Sequence, residues 1–178
     1  TGGLQSRSGL EIHPILPKAQ NSATGWPGWK HSERTDPVNS KIRKAGTVYL
    51  VGAGPGHPGL ITRMGYDLLQ RCDAVAYDAL IPLELVSSLP ERVERHYVGR
   101  RSGRHSMPQS EKNRLLVDLA LRGLNVVRLK GGDTAFFGGT AEAADCLAAA
   151  CVHVIVVAGV TAAPAVAAAS GLTLTGPR

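Results

Sequence analysis

Cysteine occurs only three times in this 178-residue chain, aromatic residues make up 4%, and no apolar run approaches the length of a bilayer. Each scarcity excludes something. Cys72, Cys146 and Cys151 form no C-x-x-C pair and are odd in number. That argues against a disulfide framework or zinc site and for a reducing compartment. Such thiols serve as small buried hydrophobes. A membrane-spanning helix needs about 20 consecutive apolar residues, and a secretory leader needs a shorter apolar segment behind a basic end. Neither pattern is found, so the expectation is a cytoplasmic protein that does not engage a membrane. The 43% hydrophobic content suits a soluble globular core.

Broadly distributed basic charge is also lacking. The formal net charge is +6, but residues 1–45 hold seven Lys/Arg against three Asp/Glu. The other 133 residues hold thirteen against eleven. Nucleic acid is therefore not an expected partner. Residues 1–45 also contain Pro14, Pro17, Pro27 and Pro37 and no sustained hydrophobic period, which reads as a flexible tail or linker. Trp26 and Trp29 are its exception, suited to docking on a partner or on the chain's own domain.

From residue 46 to 178 the pattern changes to that of one α/β domain. Strands are expected at 47–51, 74–77, 93–98, 125–129 and 152–158, mostly Val-rich runs of the kind buried on both faces. The run 93–98 is more mixed and suits a position nearer an edge. Helices are expected at 60–71, 108–122, 140–150 and 162–170, with Pro108 near a first turn and Gly123 at a stop. Alternation of this kind predicts a mostly parallel sheet with flanking helices.

Two glycine-rich loops follow two of these strands. Val48-Tyr49-Leu50-Val51 leads into Gly52-Ala53-Gly54-Pro55-Gly56-His57-Pro58-Gly59, and Val126-Val127-Arg128-Leu129 into Lys130-Gly131-Gly132-Asp133. Ligands of open α/β sheets bind beyond the carboxyl ends of the strands, where such loops collect. Glycine lets the backbone approach a ligand closely, although glycines there also simply make tight turns. Residues 54–59 match G-x-G-x-x-G, and Asp78 follows at the end of the second expected strand, as in a dinucleotide site. Pro55 and Pro58, however, have no N–H to offer a pyrophosphate, and the second loop has no place in that fingerprint.

The ordered set of motifs resembles uroporphyrinogen-III C-methyltransferase, of the tetrapyrrole methylase superfamily. The matching stretches are Val48–Thr62, Val75–Ile81, Tyr97–Gln109, Val126–Phe137 and Val157–Ala163, in order and over about three quarters of the chain. The resemblance implies the first α/β domain of that fold and methyl transfer from S-adenosyl-L-methionine to carbons of uroporphyrinogen III. The product would be precorrin-2, on the route to siroheme and cobalamin. It implies cofactor contacts at Pro55, Gly131, Gly132, Asp133, Phe136, Thr161 and Ala162. It also implies a proton acceptor at Asp78, a proton donor at Arg100, and a homodimer for full-length members. Asp78 alone reads equally as a turn or cap residue. Arg101, Arg104 and His105 add to a basic patch suited to a substrate with eight carboxylates, or to a solvated loop. No metal site is expected.

Several positions depart from the family pattern. His57 stands where Asp is usual, Arg100 where Lys is usual, and Thr134 where Pro is usual. The stretch G-R-G-G-E-E becomes Gly138-Gly139-Thr140-Ala141-Glu142-Ala143. The family's second α/β domain closes the cofactor cleft, and the expectation is a chain truncated before it, with impaired activity. Two rival readings are an NAD(P)-binding oxidoreductase module and a non-catalytic fragment.

Overall fold

The computed structural model describes residues 44–99, 107–136 and 139–176. All but the last two residues of the tail expected at 1–45, and the sites at Arg100, Arg101, Arg104 and His105, lie outside the described residues. The Val-rich runs form five strands: β1 (Thr47–Gly52), β2 (Ala74–Tyr77), β3 (Glu94–Tyr97), β4 (Val126–Lys130) and β5 (His153–Val157). All pair in parallel, in the order β3-β2-β4-β1-β5.

Helices α1 (Arg63–Arg71), α2 (Leu83–Ser87), α3 (Gln109–Leu121), α4 (Thr140–Ala149) and α5 (Ala162–Ala169) alternate with the strands. Side chains of a strand alternate between faces, and the core divides accordingly. Val51, Val75, Val127 and Leu129 pack with Leu68 and Leu69 of α1 and Leu85 and Val86 of α2. Val48, Leu50, Ala76 and Val126 pack with Leu116 and Leu119 of α3 and Leu147 of α4. Each such Val or Leu side chain, fully buried, stabilises the fold by about 1.5–3 kcal/mol before entropy is counted.

Three details differ from the sequence expectation. The helix expected over 60–71 starts only at Arg63. Residues Pro58–Leu60 form a 3-10 turn, and extended Thr62 caps α1 by accepting the Gly65 N–H at 3.2 Å. Helix α2 was not expected, since five residues carry no readable period and its N-cap, Pro82, makes no side-chain cap. Strand β5 is an edge strand rather than a fully covered one. His153 is exposed and Val154, Ile155 and Val156 are half-buried. The other edge is β3, as the mixed composition of 93–98 indicates.

The end of α3 is tied to β3 by Arg122, which donates Nη1 to Glu94 Oε2 at 3.1 Å and Nη2 to Oε1. That hydrogen bond, aided by the Arg122 charge and by His96 and opposed by burial, holds the Glu94 carboxyl below its ordinary 4.5. A depressed folded pKa gives stability that is full above the ordinary value and lost as pH falls through the folded one. The pair is well exposed, so the contribution is small. Thermal unfolding of Glu94→Gln should lie slightly below the unaltered chain at pH 7, and the two should converge in acid. A gap that widens below pH 4.5 would contradict this.

Candidate active site

The two glycine loops hydrogen-bond to each other. β1 and β4 are neighbours in register, Gly52 opposite Lys130, so both loops leave the sheet at the same carboxyl edge. Gly54 N–H donates to Gly132 O at 3.2 Å, Gly132 N–H returns to Gly54 O at 2.7 Å, and Ala53 N–H reaches Lys130 O at 2.8 Å. Gly54 and Gly132 have φ of +81° and +69°, a region costly to any residue with a Cβ.

A third loop, between β5 and α5, closes the group. Asp133 Oδ2 accepts the Gly159 N–H at 2.7 Å, and its Oδ1 accepts the Ala135 N–H at 2.8 Å. The sequence reading assigns Asp133 to the cofactor. In the structure its carboxylate also ties the second loop to the third. Thr62 does the same from the first side, donating Oγ1 to Ala158 O at 3.3 Å. Thr134, which replaces the usual proline, is 1% exposed and donates to Val157 O at 3.3 Å. Thr140 donates to Thr134 O and accepts from Lys130 Nζ at 2.8 Å.

These bonds gather Pro55, Gly131, Gly132, Asp133 and Thr161 on loops, and Ala162 at the start of α5, along one sheet edge. Pro55 is half-buried, Phe136 is 70% exposed on the same loop as Asp133, and Thr161 caps α5 without a side-chain hydrogen bond to it. A Cβ built on Gly132 would meet no described atom within 4 Å, so the cradle is open on that side.

Asp78 sits at the end of β2, beside this cradle, with Leu80 lying over Gly131. Its Oδ1 accepts the Leu80 N–H at 3.1 Å, which is the turn role. Its Oδ2 accepts from Arg128 Nη2 at 2.9 Å, which the sequence reading missed. Arg128, in the central strand β4, is 8% exposed and also donates Nη1 to the carbonyls of Ala76 and Leu129. A readable signal was present. In Val126-Val127-Arg128-Leu129-Lys130 the two cations are two residues apart and so share one face of a strand that must be buried. Lys130 lies further out, its ammonium pushed below the usual 10.5 by burial and then by the Arg128 charge, with Lys112 adding and Asp78 opposing.

Among the described residues no group of acidic, His and Cys side chains could hold a metal ion, and no helix is long and apolar enough to cross a membrane.

The family model for Tetrapyrrole (Corrin/Porphyrin) Methylases matches residues 47–178. The chain belongs to the tetrapyrrole methylase family. A siroheme synthase of Baumannia cicadellinicola subsp. Homalodisca coagulata is 46% identical over 151 residues, covering 83% of this chain and 32% of that protein. The crystal structure of a uroporphyrin-III-C-methyltransferase from Thermus thermophilus aligns with a TM-score of 0.64 at 36% identity, over 74% of this chain and 55% of that one. The Thermus thermophilus enzyme complexed with S-adenosylhomocysteine aligns with a TM-score of 0.59 at 42% identity, over 74% of this chain and 50% of that one. The chain thus spans about a third of the curated relative and about half of the solved methylases. The fold is that of tetrapyrrole methylases, with an all-parallel five-stranded sheet between helices. Membership in this family, rather than among dinucleotide-dependent oxidoreductases, accounts for the second glycine loop that the Rossmann pattern leaves unexplained.

Proposed function

We propose that this domain binds S-adenosyl-L-methionine and takes part in C-methylation of uroporphyrinogen III. The carrying observation is the glycine cradle at one sheet edge, formed by the reciprocal Gly54–Gly132 bonds and the Asp133–Gly159 bond, with a fixed carboxylate beside it. The residues fit the cofactor, since the backbone at Gly132 is open and close packing of Gly52 against Gly159 keeps side chains out of the cradle. When bound, the cofactor supplies an electrophilic methyl group.

The chain's own residues then have the following parts. The loops at Pro55, Gly131–Asp133 and Thr161–Ala162 hold the cofactor, with Phe136 covering it. Alignment of the methyl group with a pyrrole carbon is most of what such a transfer needs. Asp78 accepts a proton from the methylated macrocycle. Leu80 N–H and Arg128 fix both its oxygens, and a carboxylate has lone pairs to spare beyond these two bonds. Arg101, Arg104 and His105 engage substrate carboxylates. Arg100 contributes charge rather than a proton, because a guanidinium stays protonated at neutral pH.

Isothermal titration with S-adenosylhomocysteine and with NAD separates this reading from its oxidoreductase rival. The expected result is heat of binding with S-adenosylhomocysteine and none with NAD. NAD binding with no response to S-adenosylhomocysteine would overturn the proposal.

A further inference from the structure

The third loop continues β5, an edge strand whose last paired residue, Val157, stands opposite Val51. Among the described residues, neither Ala158 nor Gly159 makes a backbone–backbone hydrogen bond. A loop that prolongs a half-exposed edge in this way has little to hold it. Side chains from the other two loops hold it instead, taking one backbone group from each of three successive residues. The Thr134 hydroxyl donates to Val157 O at 3.3 Å, the Thr62 hydroxyl donates to Ala158 O at 3.3 Å, and Asp133 Oδ2 accepts the Gly159 N–H at 2.7 Å. Thr134 is the deeply buried member, at 1% exposed. Its own carbonyl accepts from Thr140, the first residue of α4, so it is fixed on the helix side as well. The proline usual at this position has no hydroxyl to donate, and this part of the clamp therefore comes with the departure. Two residues beyond Gly159 stand Thr161 and Ala162.

We propose that Thr134 is a positioning residue for the cofactor, its hydroxyl fixing the end of β5 so that the third loop meets the second across the cradle. The inference rests on the reading of these loops as the S-adenosyl-L-methionine site. Thr134 itself touches no ligand. It acts through Val157, and with Thr62 and Asp133 it removes freedom from the loop before binding rather than during it. Ordering a loop in advance raises affinity by lowering the entropy lost on association. The substitution of threonine for proline is then a different way of bracing the loop, not a loss of function.

Titration calorimetry with S-adenosylhomocysteine and amide hydrogen exchange, both on the full chain, test it. Thr134→Val keeps the branched shape and loses the donor, so the dissociation constant should rise about tenfold. The Gly159 amide should exchange about tenfold faster in the same variant, with no ligand present. Thr134→Ser restores a hydroxyl and should bring both values back to within about twofold of the unaltered chain. Exchange in the unaltered chain needs no variant, and keeps the test open if Thr134→Val folds poorly. There the Gly159 amide should be as protected as the paired amides of β5, and exchange at the rate of a free loop would overturn the proposal. So would a Thr134→Val protein that melts earlier but binds S-adenosylhomocysteine like the unaltered chain, because the hydroxyl would then serve stability alone. Failure of the unaltered chain to bind S-adenosylhomocysteine is a separate result, and it counts against the cofactor reading on which this one stands.

Discussion

Asp78→Ala is expected to lower the unfolding midpoint by roughly 8 °C and to abolish methyl transfer while leaving cofactor affinity nearly unchanged. The stability loss follows from what the substitution leaves behind. The Arg128 side chain is 9% exposed and that of Asp78 is 23% exposed. Removing one partner of a buried pair strands the other charge, at a cost of about 3 kcal/mol or more. The carbonyls of Ala76 and Leu129 still accept from Arg128, and the pair touches solvent, so the effect belongs at the low end, about 3 kcal/mol. The expected loss of turnover has a different origin, the absence of the proposed proton acceptor. A double variant, Asp78→Leu with Arg128→Met, separates the two. Replacing a buried pair by apolar side chains is close to neutral for stability, so the double variant should regain most of the midpoint and none of the methylation. The assay joins the domain to the carboxyl-terminal half of a complete family member and follows methylation of uroporphyrinogen III. Normal turnover in a destabilised Asp78→Ala protein would show that the carboxylate serves only the turn and the ion pair.

That pair also marks the boundary of what the residue text reveals. All five strands were legible to within one residue at each end, because a mostly apolar run bounded by turn residues has few alternatives in a both-sides-covered sheet. Exposure of β5 was not legible. Its run, Val154-Ile155-Val156-Val157, is as apolar as a central strand, and only pairing shows that it has one neighbour. Helix α2 is shorter than two turns, too short for any hydrophobic period to register. The shared sheet edge of the two glycine loops was expected, but not their direct reciprocal bonding, because β1 and β4 are adjacent only in space. Asp78 was legible as a residue, whereas its partner lies fifty positions away in the middle of an apolar run. The roles of Asp133 and Thr62 as ties between loops were hidden for the same reason. Each bonds backbone atoms of a loop that follows a different strand.

The packing of those loops sets the other large expectation. A Cβ on Gly52 would stand 2.7 Å from Gly132 O and from the Cα and N of Gly159. All three are backbone atoms, so no side chain can turn aside to make room. Gly52→Ala must therefore push the second and third loops away from the first, and it lengthens the Gly54–Gly132 and Asp133–Gly159 bonds together. Overpacking of this kind costs about 3 kcal/mol. If a similar share falls on the geometry that binds S-adenosylhomocysteine, its affinity drops roughly 100-fold. Gly132→Ala supplies the contrast. Its φ of +69° adds a left-handed penalty of about 1 kcal/mol, with no steric conflict among the described residues. Its methyl group would instead enter the open side of the cradle, so affinity should fall with little change in the midpoint. Gly171→Ala, at φ +66° and also in open space beyond α5, should show the small stability cost alone. The ordering expected from calorimetry and thermal unfolding is thus a loss of both properties at 52, mainly of binding at 132, and of neither to any large degree at 171. A Gly52→Ala protein that melts and binds S-adenosylhomocysteine like the unaltered chain would mean that the three loops do not form one cradle.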